Sequence, residues 1–286
     1  MGMFYHLDTI ETVVHRMKTD EFEYTYHTNK LGFVTKPWEL EKPKDKTRII
    51  SMGDSFTAGV GTPEDSTYPL LLQQILGEKY DVLSAGVAGS DPVFGYKNME
   101  KRLLPYKPDM VLQTVSENDI FFDFGPRGGF ERFVGDSLLK FKDPPIYEPF
   151  YVINYTSRIF FEVFGLSPVN KWYYNRNVKS PKIIAERNQL LFDILNRYEK
   201  LATENHFEVR IVFLPMVSEM REGKYLFDFT PAKKHIATLQ HVKYIDLMPC
   251  YQAKMQWIDK YYWKRDKHHN SAGYELMARC IADELK

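Results

Sequence analysis

Gly53-Asp54-Ser55 opens a glycine-rich turn, Gly53 to Gly61, directly after the apolar run Ile49 to Met52. A serine hydroxyl is a weak nucleophile until a base takes its proton. The base is usually a histidine, oriented by a carboxylate. Near the other end of the chain, Asp266, His268 and His269 share one short segment just ahead of a helical pattern. Ser55 as nucleophile, a histidine of that pair as base and Asp266 as its orienting acid would together perform acyl transfer. Such a reaction also needs fixed donors for the carbonyl oxygen as it becomes negative. Gly89 can present a bare backbone N–H, Asn118 a side-chain amide, and Ser55 its own N–H.

These groups need a frame that brings them to one place. Thr47–Met52, Asp81–Val87, Asp109–Val115, Phe207–Met216 and Val242–Met248 read as strands. Ser66–Leu76, Pro92–Leu104, a long run from Pro181 to about Leu201, Ala232–Gln240 and Ser271–Leu285 read as helices. Ser66, Ser180 and Asn270 are the expected N-caps. Strands alternating with helices predict a parallel sheet covered on both faces, whose ligand site lies beyond the carboxyl ends of the strands. The Ser55, Gly89 and Asn118 loops all follow predicted strands, so they should meet at that edge.

Four blocks in order, "GDSFTAG", "SAGVAG", "SEND" and "DKHHNSAGY", resemble those of the SGNH, or GDSL-like, hydrolase family, over roughly residues 47–286. The resemblance implies a three-layer α/β/α fold of flavodoxin-like type, with Ser55 as nucleophile and Gly89 and Asn118 in the oxyanion hole. It implies the terminal Asp-His pair as acid and base. The G-x-S-x-G elbow of the α/β-hydrolases is not present around Ser55. Ser116 stands where the family usually has glycine, which bears on the shape of that loop. Ser84 stands where asparagine is frequent. For the base, the family spacing Asp-x-x-His pairs Asp266 with His269, whereas counting back from the Asn270 cap and Gly273 selects His268. The cap register is the preferred guide, and His268 is taken as the base.

The 286 residues carry 38 Lys+Arg against 38 Asp+Glu, a zero balance that argues against nucleic acid as a main partner. No stretch approaches the ~20 apolar residues of a membrane span, and the start lacks the apolar core of a signal peptide. Met1-Gly2-Met3 reads as a cloning remnant, which leaves room for a signal or anchor ahead of it. Cys250 and Cys280 have neither zinc-like nor redox-like spacing. One disulfide is open to them, but the preferred reading is two small buried residues. No metal or organic cofactor is expected.

Residues 1–45 read as an N-terminal extension and 46–286 as the hydrolase-like domain, with an aromatic-rich insertion over about 121–177. The insertion is expected to pack a subdomain, and as the alternative to wall the site. Arg127, Arg132 and Arg158 within it are candidates for an anionic substrate or simple solvated charges. "NKLGF" (Asn29 to Phe33) resembles a segment of envelope-associated bacterial members and implies an envelope or secreted setting. The expected function is a serine ester hydrolase acting on short-acyl esters, acetylated carbohydrate foremost. A polysaccharide O-acetyltransferase with the same triad is the second reading, and a non-catalytic binding protein on this fold is the third.

Overall fold

The computed structural model describes residues 13–35, 37–120, 128–133 and 180–286. Five parallel strands form its centre: β3 (Thr47–Gly53), β4 (Tyr80–Gly86), β5 (Met110–Val115), β6 (Glu208–Phe213) and β7 (Val242–Asp246). Their order is β4-β3-β5-β6-β7, the doubly wound arrangement in which the chain reverses direction beside its first strand. Ahead of them, β1 (Val13–Lys18) and β2 (Glu23–Thr28) make an antiparallel hairpin.

The sheet is buried on both faces, which is why its strands read as near-continuous apolar runs. Neighbouring residues of β3 serve opposite cores. Ile50 joins Leu83, Val111, Val209 and Ile211 on one face, and Ile49 joins Val82, Leu112, Val212 and Ile245 on the other. The first face is covered by α3 (Pro92–Asn98), α4 (Pro181–Asn205) and α6 (Thr230–Ile236). The second is covered by α2 (Tyr68–Leu76), α7 (Leu247–Lys254) and α8 (Ser271–Leu285). Two short helices, α1 (Ser55–Ala58) and α5 (Val217–Glu222), lie at the carboxyl edge. The long helix α4 buries Leu191, Ile194, Leu195, Tyr198, Leu201 and Ala202, the i, i+3, i+4 spacing of a single apolar stripe. The result is the three-layer α/β/α architecture.

Two expectations are corrected. Ser66 is not the cap of α2: it ends a one-turn 3₁₀ segment, Glu64–Ser66, and its hydroxyl bonds Asp65 at 2.9 Å. Thr67 occupies the cap position, and Pro69 sits in the first turn where its missing N–H costs nothing. The cysteines are not two separate thiols. Cys250 in α7 and Cys280 in α8 form a disulfide, with Cα atoms 6.0 Å apart. Their pairing depends on how two helices pack on the sheet, which spacing along the chain does not reveal. The hairpin, α5 and α7 were not anticipated. The segment after β2 contributes to the core: Asn29 accepts the N–H groups of Leu31 and Phe33, and the fully buried Phe33 stacks on Trp38 at 5.1 Å.

The disulfide links cysteines 30 residues apart in sequence, and loop-closure entropy assigns such a link about 3–4 kcal/mol. Cys250→Ser should lower the unfolding free energy by that order in chemical denaturation. Without reductant, alkylation of the unfolded wild type should modify neither cysteine. Alkylation of both under those conditions would contradict the pairing.

Candidate active site

The carboxyl edge is set by the pairing of strand ends. Gly53 at the end of β3 lies opposite Gly86 at the end of β4, and Met52 lies opposite Gln113 of β5. Ser55 is thus two residues beyond one strand end, Gly89 three beyond the next, and Asn118 three beyond Val115. The Gly53 carbonyl accepts the Val87 N–H at 2.9 Å and the Ser90 hydroxyl at 3.0 Å, which ties the Gly89 turn to the base of the Ser55 turn.

Asp54 caps α1 by accepting the Phe56 N–H at 2.9 Å. Burial pushes its carboxyl above the usual range, against the pull of that N–H and of nearby His268. Ser55 occupies the first position of α1, where a backbone N–H has no intrahelical acceptor. Its Oγ lies 2.7 Å from His268 Nε2, and His268 Nδ1 lies 2.5 Å from Asp266 Oδ1. An ionised Asp266 carboxylate can only accept, so Nδ1 carries the proton and Nε2 is free to accept from the serine. The hydrogen bond from His268 is the main reason that the Asp266 carboxyl is held below its ordinary range. The ring of Phe56 packs against His268 at 5.0 Å between centroids and meets His269 edge-on at 5.3 Å.

His269 goes elsewhere. It is fully buried, with Nε2 3.1 Å from the Tyr251 hydroxyl and Nδ1 3.3 Å from the Tyr261 carbonyl. The carbonyl can only accept, so Nδ1 donates and Nε2 accepts. Burial is the main cause that pushes this imidazole down to about 3, so it stays neutral. The Asn270 cap accepts the Gly273 N–H at 3.2 Å and starts α8 where the sequence suggests.

Gly89 adopts a left-handed φ of +73°, and the space where its Cβ would stand is open to at least 4 Å. Asn118 is half-buried in a helical turn after β5. Ser116 does not need to be glycine, because its backbone is not left-handed. Asp119 shapes the loop instead by accepting the Ser116 N–H at 2.7 Å and its hydroxyl at 3.0 Å. The buried Glu117 accepts the Ser218 hydroxyl at 3.1 Å, and burial raises its carboxyl. Glu219 in α5 is pushed up to about 8, first by burial and then by Glu117. Sequence reasoning did not find this pair, since the two residues lie 102 positions apart and Glu219 sits in no motif, although Glu117 belongs to the "SEND" block.

Arg132 is not available to a substrate. It is buried and forms an ion pair with Asp91, with Nη1 2.7 Å from Oδ2, and Asp91 caps α3 just after the Gly89 turn. Phe130 packs edge-on against Tyr96 at 5.3 Å, and Phe133 is buried in the core. Those two aromatic residues therefore pack. Arg127, Arg158 and the rest of the aromatic stretch lie outside the described residues.

Residues 51–276 match the GDSL-like lipase/acylhydrolase family. Among solved structures, the chain is similar to an acetyl xylan esterase, AlAXEase, with 17% identity and a TM-score of 0.47 over 84% of this chain and 100% of that one. It is similar to a lipase/acylhydrolase from Enterococcus faecalis, with 16% identity and a TM-score of 0.45 over 84% and 95%. A two-domain esterase (CEX) active on acetylated mannans shares 14% identity at a TM-score of 0.47 over 84% of this chain. This chain covers 49% of that protein's length. No curated protein sequence matches.

The buried imidazole has a consequence for acid stability. Below its ordinary value of 6.5, the unfolded chain takes up a proton that folded His269 refuses down to about 3. Stability is therefore present above 6.5 and is lost as pH falls toward 3. Measured as Tm against pH, His269→Gln should be less stable than wild type at pH 7 and should lose less on acidification. Parallel curves for the two proteins would show that His269 is not the titrating group.

Proposed function

Since the chain belongs to the GDSL-like lipase/acylhydrolase family, whose members are esterases, we propose that it hydrolyses a carboxylic ester through an acyl-enzyme on Ser55. The hydrogen-bonded chain Ser55–His268–Asp266, at 2.7 and 2.5 Å, is the observation that carries this reading. Ser55 Oγ attacks the ester carbonyl while its proton passes to His268 Nε2. Asp266 accepts from Nδ1–H throughout and stabilises the imidazolium that forms. The N–H groups of Ser55 and Gly89 and the amide of Asn118 donate to the oxyanion. As the tetrahedral intermediate collapses, the alkoxide leaves with the proton from Nε2. Water then attacks the acyl-serine by the same route and frees the acid.

The proposed substrate is a short-acyl ester of a carbohydrate. Two observations support an envelope or secreted setting, where such esters are exposed. One is the resemblance of the Asn29–Phe33 segment to envelope-associated members. The other is the Cys250–Cys280 disulfide, a bond that persists in oxidising compartments.

A series of p-nitrophenyl esters from acetate to octanoate tests this. kcat/KM should peak at acetate. A steady rise with chain length, up to about 0.8 kcal/mol per CH₂, would make the enzyme a lipid esterase instead. Ser55→Ala should lose about 10³-fold or more of the activity. Asn118→Ala should lower kcat by roughly 10²–10³ at little changed KM, because its amide would bond the oxyanion more strongly than the ground-state carbonyl. Acyl transfer to an added sugar in preference to water would turn the assignment to an O-acetyltransferase.

A further inference from the structure

The N-terminal hairpin does more than cover apolar surface. Its turn is shaped by Thr19, whose hydroxyl accepts the N–H groups of Glu21 at 3.2 Å and Phe22 at 3.1 Å. That turn delivers the half-buried Glu21 to the loop that carries Asp266 and His268. Both Glu21 carboxylate oxygens lie 2.8 Å from the Arg265 N–H, and Oε2 lies 2.7 Å from the Asp266 N–H.

The rest of that loop is closed on itself. Trp263 N–H donates to the His268 carbonyl at 2.8 Å, and Lys267 N–H, from a residue with a φ of +72°, donates to the Trp263 carbonyl at 3.1 Å. The backbone N–H groups of Arg265 and Asp266 face outward from this turn, and one carboxylate takes both. Hydrogen bonds from N–H groups to an ionised carboxylate are the short, strong kind.

We infer that Glu21 is a positioning residue for the Asp266–His268 pair, fixing the backbone from which the Asp266 carboxylate reaches His268 Nδ1. This rests on the proposed triad. The hairpin itself does not depend on Glu21. It is fixed separately by the Phe22 ring against Trp263 at 5.3 Å, by the Tyr24 hydroxyl accepting the Gly61 N–H at 3.1 Å, and by His27 on Glu64 at 2.9 Å. Glu21 differs from these anchors in bonding the loop at the residue that holds the imidazole. Without it, the Asp266 backbone can shift by a fraction of an ångström while hairpin and loop stay docked. Loss of alignment on that scale slows a reaction without changing how substrate binds.

The test compares Glu21→Ala, Glu21→Gln and Glu23→Ala with wild type on p-nitrophenyl acetate. Glu23 lies in the same hairpin, and among the described residues its carboxylate bonds Arg16 and Lys18 of the facing strand. Glu21→Ala should lower kcat by about tenfold to a hundredfold at unchanged KM. Glu21→Gln, which keeps one acceptor oxygen, should recover most of that loss, and Glu23→Ala should match wild type. The low-field proton resonance of the His268–Asp266 hydrogen bond should be present in wild type and Glu21→Gln and broadened or lost in Glu21→Ala. A Glu21→Ala variant with wild-type kcat and an intact resonance would overturn the inference while leaving the triad standing. Equal losses in Glu21→Ala and Glu23→Ala would also overturn it, by making the effect one of hairpin docking. If Ser55→Ala retains wild-type activity, the triad itself fails, and the role of Glu21 fails with it.

Discussion

Ser55 and His268 stand 213 residues apart in the chain, and everything the site can do depends on one docking contact that holds them 2.7 Å apart. The turn after α1 is clamped to the segment around His268 by three hydrogen bonds. Trp263 Nε1–H donates to the Gly61 carbonyl at 2.8 Å, the Tyr274 hydroxyl donates to the Val60 carbonyl at 2.8 Å, and the hydroxyls of Thr62 and Ser271 meet at 2.6 Å. The two backbones approach so closely that side chains would part them. A Cβ on Gly61 would fall 2.7 Å from Trp263 Nε1 and 3.0 Å from the His269 carbonyl oxygen. Gly61 also needs its left-handed φ of +95°. Gly61 thus sets how closely the Ser55 turn approaches the His268 segment.

Adjacent histidines with opposite fates follow from the same contact. As the chain runs into the Asn270 cap, one ring faces Ser55 and the next turns inward, where tyrosines 251, 262 and 274 surround it. Kept neutral, His269 places no positive charge beside His268. Titration opposes stability from the other side as well. Folded Glu219 keeps its proton up to about 8, whereas an ordinary glutamate loses it at 4.5, so its contribution is lost as pH rises across that range. His269 and Glu219 therefore press on the fold in opposite directions. Both are buried: His269 follows the proposed base directly in the chain, and Glu219 interacts with Glu117, the neighbour of Asn118.

Much of this was legible in the sequence because it is local. The apolar runs at Ile49–Met52 and Val82–Ala85 mark buried strands, and the asparagine before Ser271 marks where α8 begins. That cap also separates His268 from His269, which the spacing from Asp266 alone does not. The serine at 66 misled because the adjacent Thr67 takes the cap position while Ser66 closes a one-turn 3₁₀ segment. Contacts between distant segments left no local mark. Nothing about Glu21 foretells Asp266, and nothing about Cys250 foretells Cys280. Glu117 and Glu219 come together only because β5 and β6 are neighbours in the sheet. The Ser116 substitution looked like a change of backbone shape, yet the hydroxyl and N–H of that residue are held by Asp119 without a left-handed backbone.

The central claim is that Ser55 is a nucleophile made reactive by His268. Peptide mass mapping after brief treatment with a fluorophosphonate tests it most directly. The account predicts one adduct, on the peptide containing Ser55, formed readily in wild type and His269→Gln and slowed by orders of magnitude in His268→Ala. An adduct on another residue, or labelling of His268→Ala at the wild-type rate, would contradict it.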